Sequence, residues 1–149
     1  MTNYVGAWLA ALAAEEQAVY GYGLVGPHLP TQQAIALAEQ CQAAHAALQD
    51  ATSAALVLAG LVPPPPPADY PDLYPVSMGD SALRLALELE QDAATAWRFL
   101  FAQASHDSGA QARAVLAQAQ DALTASAVRA MGWRRLRSPS AATVAFPGI

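Results

Sequence analysis

Lysine is absent from this chain, and all seven of its basic residues are arginine. Charge is sparse in general: Asp, Glu, Lys and Arg make up 13% of the residues, against roughly 25% in an ordinary globular domain. The formal sum is −5, which leaves no basic face for nucleic acid. A lone cysteine, Cys41, excludes an internal disulfide and a thiolate cluster for zinc, and it fits a reducing cytoplasm. No apolar run reaches the roughly 18 residues that a membrane-spanning helix needs. Met1-Thr2-Asn3 puts no basic stretch ahead of an apolar one, so no secretory leader is expected. No Ser-His-Asp or Cys-His spacing suggests a nucleophile. The glycines around Tyr22 close a helix instead of opening one, so they form no phosphate loop.

What the chain does have is alanine and long helical periodicity. Its 149 residues suffice for one domain with a real core, and the 54% apolar share is enriched in alanine, a helix former. Four helices are expected. The first runs from about Tyr4 to Leu24, with Asn3 as N-cap and Gly26-Pro27 ending it; its apolar stripe is Val5, Trp8, Leu9, Leu12, Val19 and Tyr20. The second runs from about Gln32 to Ala59, between a cap at Pro30-Thr31 and a left-handed Gly60, with Leu37, Ala38, Cys41, Leu48, Ala55 and Leu56 inward. The third starts near Ser81, capped by Asp80, and reaches about Ala104; Leu83, Ala86, Leu89, Ala93, Trp97, Leu100 and Phe101 face in. The fourth follows a capping box, Ser108-Gly109-Ala110-Gln111, and runs to about Arg135. Arg129, Arg134, Arg135 and Arg137 gather at its end, where cations favour the helix dipole.

The connections suggest the topology. The links around Gly26–Pro30 and Ser105–Ser108 are short enough only for antiparallel neighbours. Leu61 to Gly79 is long and proline-rich. At ~3.1 Å per residue its roughly 19 residues reach ~55–60 Å, more than the ~42 Å of a 28-residue helix. Two hairpins joined by one long crossover give an all-α, ferritin-like four-helix bundle over residues 1–137. The tail from Ser138 to Ile149 is expected to be non-helical, with Val144 and Phe146 docking on the bundle.

At 100° per residue, three metal-capable groups fall on inner faces: Glu16 (or Glu15) on the first helix, His45 on the second and Glu90 on the third. By periodicity Glu16 lies nearer the stripe's centre than Glu15; Glu39 and Glu88 face out. A di-iron site takes a Glu from each of two helices and a Glu-x-x-His pair from each of the others. Here the second helix reads Gln42-Ala43-Ala44-His45, and the fourth has neither Glu nor His, only Ala119, Ala122 and Ser126 inward with Asp121 in solvent. The favoured reading is therefore a metal-free polar network, the carboxylates paired with a cationic His45 and hydrogen-bonded to Tyr20 or Tyr22. The alternative is a single Fe or Mn on Glu15 or Glu16, His45 and Glu90, doing redox chemistry. His28 and His106 read as loop residues; Tyr70 and Tyr74 read as part of a packed crossover loop, the alternative being a small-molecule pocket beneath it that they wall.

Several stretches resemble an alanine-rich, ferritin-like family of unknown function found chiefly in actinobacteria. They are Ala14-Glu15-Glu16-Gln17-Ala18-Val19-Tyr20-Gly21-Tyr22-Gly23, His45 and Asp50 before Gly60, and Glu90-Gln91-Asp92 leading to Ala94-Thr95-Ala96-Trp97-Arg98. Ala122-Leu123-Thr124-Ala125-Ser126-Ala127-Val128, Trp133 and Ala145-Phe146-Pro147-Gly148 complete the likeness. The resemblance implies a ferritin-like bundle, a helical homodimer and no assigned activity. It favours Glu15, five before Tyr20, as the acidic residue of the first helix. The family often has histidine at the position of Glu16, and arginines after the second-helix histidine; this chain has neither.

Overall fold

The computed structural model describes residues 3–138 and residue 148. Four α-helices make up most of it: α1 (Val5–Val25), α2 (Gln32–Leu58), α3 (Asp80–Ala104) and α4 (Ala110–Arg137). Short 3-10 turns lie at Gly26–His28 and Pro71–Leu73, and there is no strand among the described residues. The helix ends differ in detail from expectation. Thr31 caps α2 through a bond from the Ala34 amide at 3.1 Å, and Gly60 turns left-handed after it at φ 80°. Asn3, in contrast, is not the N-cap of α1; Tyr4 holds that position without a side-chain cap bond, its hydroxyl donating instead to Gln111 Oε1 at 3.3 Å. Asp80 is the first residue of α3, behind Gly79; its carboxylate is drawn instead to Arg137 at 2.8 Å. The capping box at Ser108 does not form: Gly109 is the N-cap, and its amide donates to Asp107 Oδ1 at 3.1 Å.

Contacts at the helix ends fix the topology. The Gly79 amide, just before α3, donates to the carbonyl of His28 at 3.2 Å. Thus α3 starts where α1 ends and α2 begins, and it runs parallel to α2. Arg137, at the end of α4, meets Asp80 at that same end, so α4 returns antiparallel to α3. The chain from Leu61 to Met78 therefore carries the backbone along the whole bundle, as its length in extended form allows. It is pinned at its far end by Tyr20, whose hydroxyl donates to Asp69 at 2.7 Å and lies 2.8 Å from the Tyr74 hydroxyl. Tyr70 packs on the Tyr20 ring at 5.0 Å, and Leu73 is buried beneath. Tyr20 thus serves the crossover and not the interior. The expected docking of Val144 and Phe146 lies outside the described residues.

α1 packs on α2 and α3, and α3 packs on α4, whereas α2 and α4 touch at few positions. The buried face of α1 is Trp8, Ala11, Leu12, Glu15, Ala18, Gly21 and Tyr22. This is rotated from the stripe drawn through Leu9, Val19 and Tyr20. The cause is that small residues set the closest helix approach: a side chain at Gly21 would meet Leu89 at 2.6 Å. Phe101, expected inside, is 38% exposed.

The core has two apolar halves. One gathers Tyr22, Val25, Cys41, Leu83, Leu89 and Trp133; the other gathers Trp8, Leu12, Leu56, Trp97, Leu100 and Val115. Between them lies a layer of fully buried polar residues: Glu15, His45, Glu90 and Ser126.

Candidate functional site: a buried ionic layer

Each helix contributes to this layer. Glu15 follows Ala11 by four and precedes Ala18 by three, which puts it in the middle of the buried face of α1. His45 continues the Ala38–Cys41 line on α2, and Glu90 lies between Leu89 and Ala93 on α3. On α4, Ser126 and Arg129 are one turn apart. Glu15, His45 and Glu90 are fully buried, and Arg129 keeps 18% of its side chain in solvent.

His45 sits at the centre. Its Nδ1 lies 2.5 Å from Glu15 Oε2, and its Nε2 lies 3.0 Å from Glu90 Oε1. Carboxylates accept and do not donate when ionised, so both ring nitrogens must carry hydrogen. Burial alone would lower the basicity of the ring, but the bonds and charges of Glu15 and Glu90 outweigh it and raise the pKa to about 9. His45 is therefore an imidazolium at neutral pH.

The remaining lone pairs are used as well. Trp97 Nε1 donates to Glu15 Oε1 at 2.7 Å. Tyr22 donates to Glu90 Oε1 at 2.7 Å and accepts from Trp133 Nε1 at 2.8 Å. Arg129 Nε is 3.1 Å from both oxygens of Glu90, and its Nη2 donates to Ser126 Oγ at 3.2 Å. Burial pushes the Glu90 pKa up, yet the His45 bond and charge, the Arg129 charge and Tyr22 hold it below its ordinary value. Tyr22 and Cys41 are driven the other way, first by burial and then by the charge of Glu90; the Cys41 thiol reaches about 12. Both stay neutral.

Glu15 and Glu90 carry two negative charges, and His45 and Arg129 two positive ones. The layer is neutral with its own side chains, which is what a low-dielectric interior requires. A metal ion fits this arrangement poorly. Holding one would strip His45 of a proton and of at least one bond, and would set a divalent charge beside the Arg129 guanidinium. Among the described residues no group of three or more His, Cys, Asp or Glu is placed to hold a metal ion.

Of the residues named from the sequence, Glu15, His45 and Glu90 converge, and Glu16 does not. Glu16 is half-buried near Tyr70, with its pKa raised by burial. Gln42 donates to the backbone carbonyl of Val19 at 3.0 Å and so ties α2 to α1. Arg129, which sequence position groups with the terminal arginines, is instead a member of the layer through Glu90. The signal was present, since it follows inward Ser126 by three and precedes inward Trp133 by four. Under the crossover there is a shallow hollow of about 250 Å³ bordered by Tyr74, Arg84 and Glu88, with Tyr70 not among its walls.

The comparisons with known proteins agree with the fold. No curated protein matches the sequence. A crystal structure of a conserved hypothetical protein, rv2844, from Mycobacterium tuberculosis is similar at a TM-score of 0.78 with 34% identity, covering 90% of this chain and 96% of that one. A family model described as a domain of unknown function, DUF4439, matches residues 7–149, nearly the whole sequence, and the chain belongs to that family.

Proposed function

We propose that this protein is a non-catalytic helical scaffold: a ferritin-like bundle in which a metal-free ionic layer has taken the place of a metal centre, working as a homodimer or binding module. The observation that carries this reading is the charge closure along one chain of hydrogen bonds, from Glu15 to His45 to Glu90 to Arg129. A buried layer of this kind rewards one helix register over its neighbours, because sliding any helix by one turn would strand a charge in the core. It offers substrate little: its central groups are fully buried and their bonding capacity is taken up by protein partners. Among the described residues no helix is long and apolar enough to cross a membrane, and the net charge of −5 disfavours nucleic acid as a partner.

The convergence of Glu15, His45 and Glu90 favours one rival reading, a single Fe or Mn doing redox chemistry. Elemental analysis of untagged protein purified without chelator separates the two. The scaffold reading expects negligible metal and no change in melting temperature on adding Fe(II), Mn(II) or Zn(II). Stoichiometric metal that disappears in Glu90→Gln would replace it with the redox reading.

A further inference from the structure

The seam between α2 and α4 is poorly closed. Two hollows lie along it, of about 520 Å³ and 380 Å³, and both are bordered by Gln118. The walls are small on both helices, with Ala47 and Ala51 facing Ala122 and Ala125. Apolar side chains continue the surface outward: Leu58, on the rim of the second hollow, is 89% exposed, and Val128 on α4 is 57% exposed. Trp8 lines the second hollow, and its indole N–H is buried without an acceptor among the described residues. Small residues on both sides of a seam permit a further helix to approach at the 8–10 Å typical of helix packing.

Charge along α4 indicates which helix. Asp121 and Arg129 both border the first hollow. They are eight residues apart, ~12 Å along the axis, with Ala125 midway between them. A second α4 laid antiparallel across the first, with the two-fold axis through Ala125, sets each Asp121 against the Arg129 of the other copy. One sequence thus supplies both halves of both pairs, as a closed two-fold contact requires. Arg129 can serve in both directions: its described bonds use Nε and Nη2 and leave Nη1 over. The same symmetry places Gln118 against Gly132, and Ala125 against itself, where a larger residue would hold the helices apart.

We propose that the α2–α4 face is the surface on which two copies of this chain associate, with their α4 helices crossing at Ala125 and Asp121 paired with Arg129 across the axis. This rests on the dimeric-scaffold reading above and adds the face and the pairing to it.

Sedimentation equilibrium and oxidative cross-linking of the full chain test it together. Wild type is expected to be a dimer. Asp121→Arg, a change at an exposed position, is expected to keep its melting temperature while the dissociation constant rises at least tenfold. Ala125→Cys is expected to form a covalent dimer on mild oxidation. Wild type, whose one cysteine is buried, and Thr95→Cys on the exposed side of α3 are expected not to. A wild-type dimer with Asp121→Arg unchanged and no Ala125→Cys cross-link would overturn this face and leave dimerisation standing. A monomeric wild type would overturn both, and with them the occupancy of the seam by a second copy.

Discussion

The apolar ends of this bundle and its ionic middle are held together by different physics. In the ends, stability scales with the apolar area removed from water, and each side chain contributes nearly independently. Leu100 or Leu56 can be trimmed there at the cost of its own burial and cavity. In the middle, Glu15, His45, Glu90 and Arg129 are balanced as a set, and the loss of one member leaves its partners charged and buried. The ends tolerate change of shape, and the middle tolerates no single change of charge. Total stability is only ~5–15 kcal/mol for a domain, so that contrast is experimentally large.

The sharpest way to break the contrast is Glu90→Gln, which deprives both Arg129 and His45 of a charge partner. It is expected to cost about 3–5 kcal/mol in urea unfolding at neutral pH and less at pH 9, where His45 sheds its proton; a cost equal at both pH values would remove the distinction. Leu100→Ala, in the apolar end, is expected to cost about 2–5 kcal/mol and, unlike the ionic variants, to cost the same at pH 6 and pH 9.

The pH dependence sharpens the comparison further. His45 is raised from 6.5 to about 9, so its contribution is complete below 6.5 and is lost as the pH rises through about 9. Glu90 is lowered from 4.5, so its contribution is present above 4.5 and is lost as the pH falls through the depressed value. Wild-type stability measured by denaturant titration should fall on the alkaline side, and His45→Gln should lack that limb while Leu100→Ala retains it.

Trp97→Phe keeps an aromatic ring in the core but removes the bond to Glu15 and some buried volume; at least about 1.5–3 kcal/mol is expected from the lost bond to a charged group, read in the same unfolding assay. The smallest effect is expected at Glu16→Gln. That carboxylate is outside the layer and its charged form is disfavoured by partial burial, so a change within about 0.5 kcal/mol is expected, while Glu15→Gln, which takes one carboxylate from His45, costs more.

The adjacent pair Glu15 and Glu16 also shows how far the sequence could be read. Helix count, the crossover and the inward faces of His45 and Glu90 follow from periodicity and from breakers such as Gly26-Pro27 and Gly60. Choosing between Glu15 and Glu16 did not, because the stripe on α1 was drawn through its largest apolar residues. Closest packing runs instead along Ala11, Ala18 and Gly21, which carry almost no hydrophobic signal. The likeness to the family pointed to Glu15. Arg129 was hidden for another reason: near a helix end an arginine has a sufficient local explanation in the dipole. Only the burial of an acidic partner, Glu90, gives it a longer-range one. The cap expected at Asp80 fails because a local bond competes there with a longer-range partner, Arg137.

The most direct test of the central claim, a neutral ionic layer built around a cationic histidine, is nitrogen-15 NMR of histidine-labelled protein, with His45 assigned through His45→Gln. The account predicts that both ring nitrogens of His45 are protonated at pH 7, and that the ring titrates near 9. A His45 found with one unprotonated nitrogen at pH 7 would contradict it.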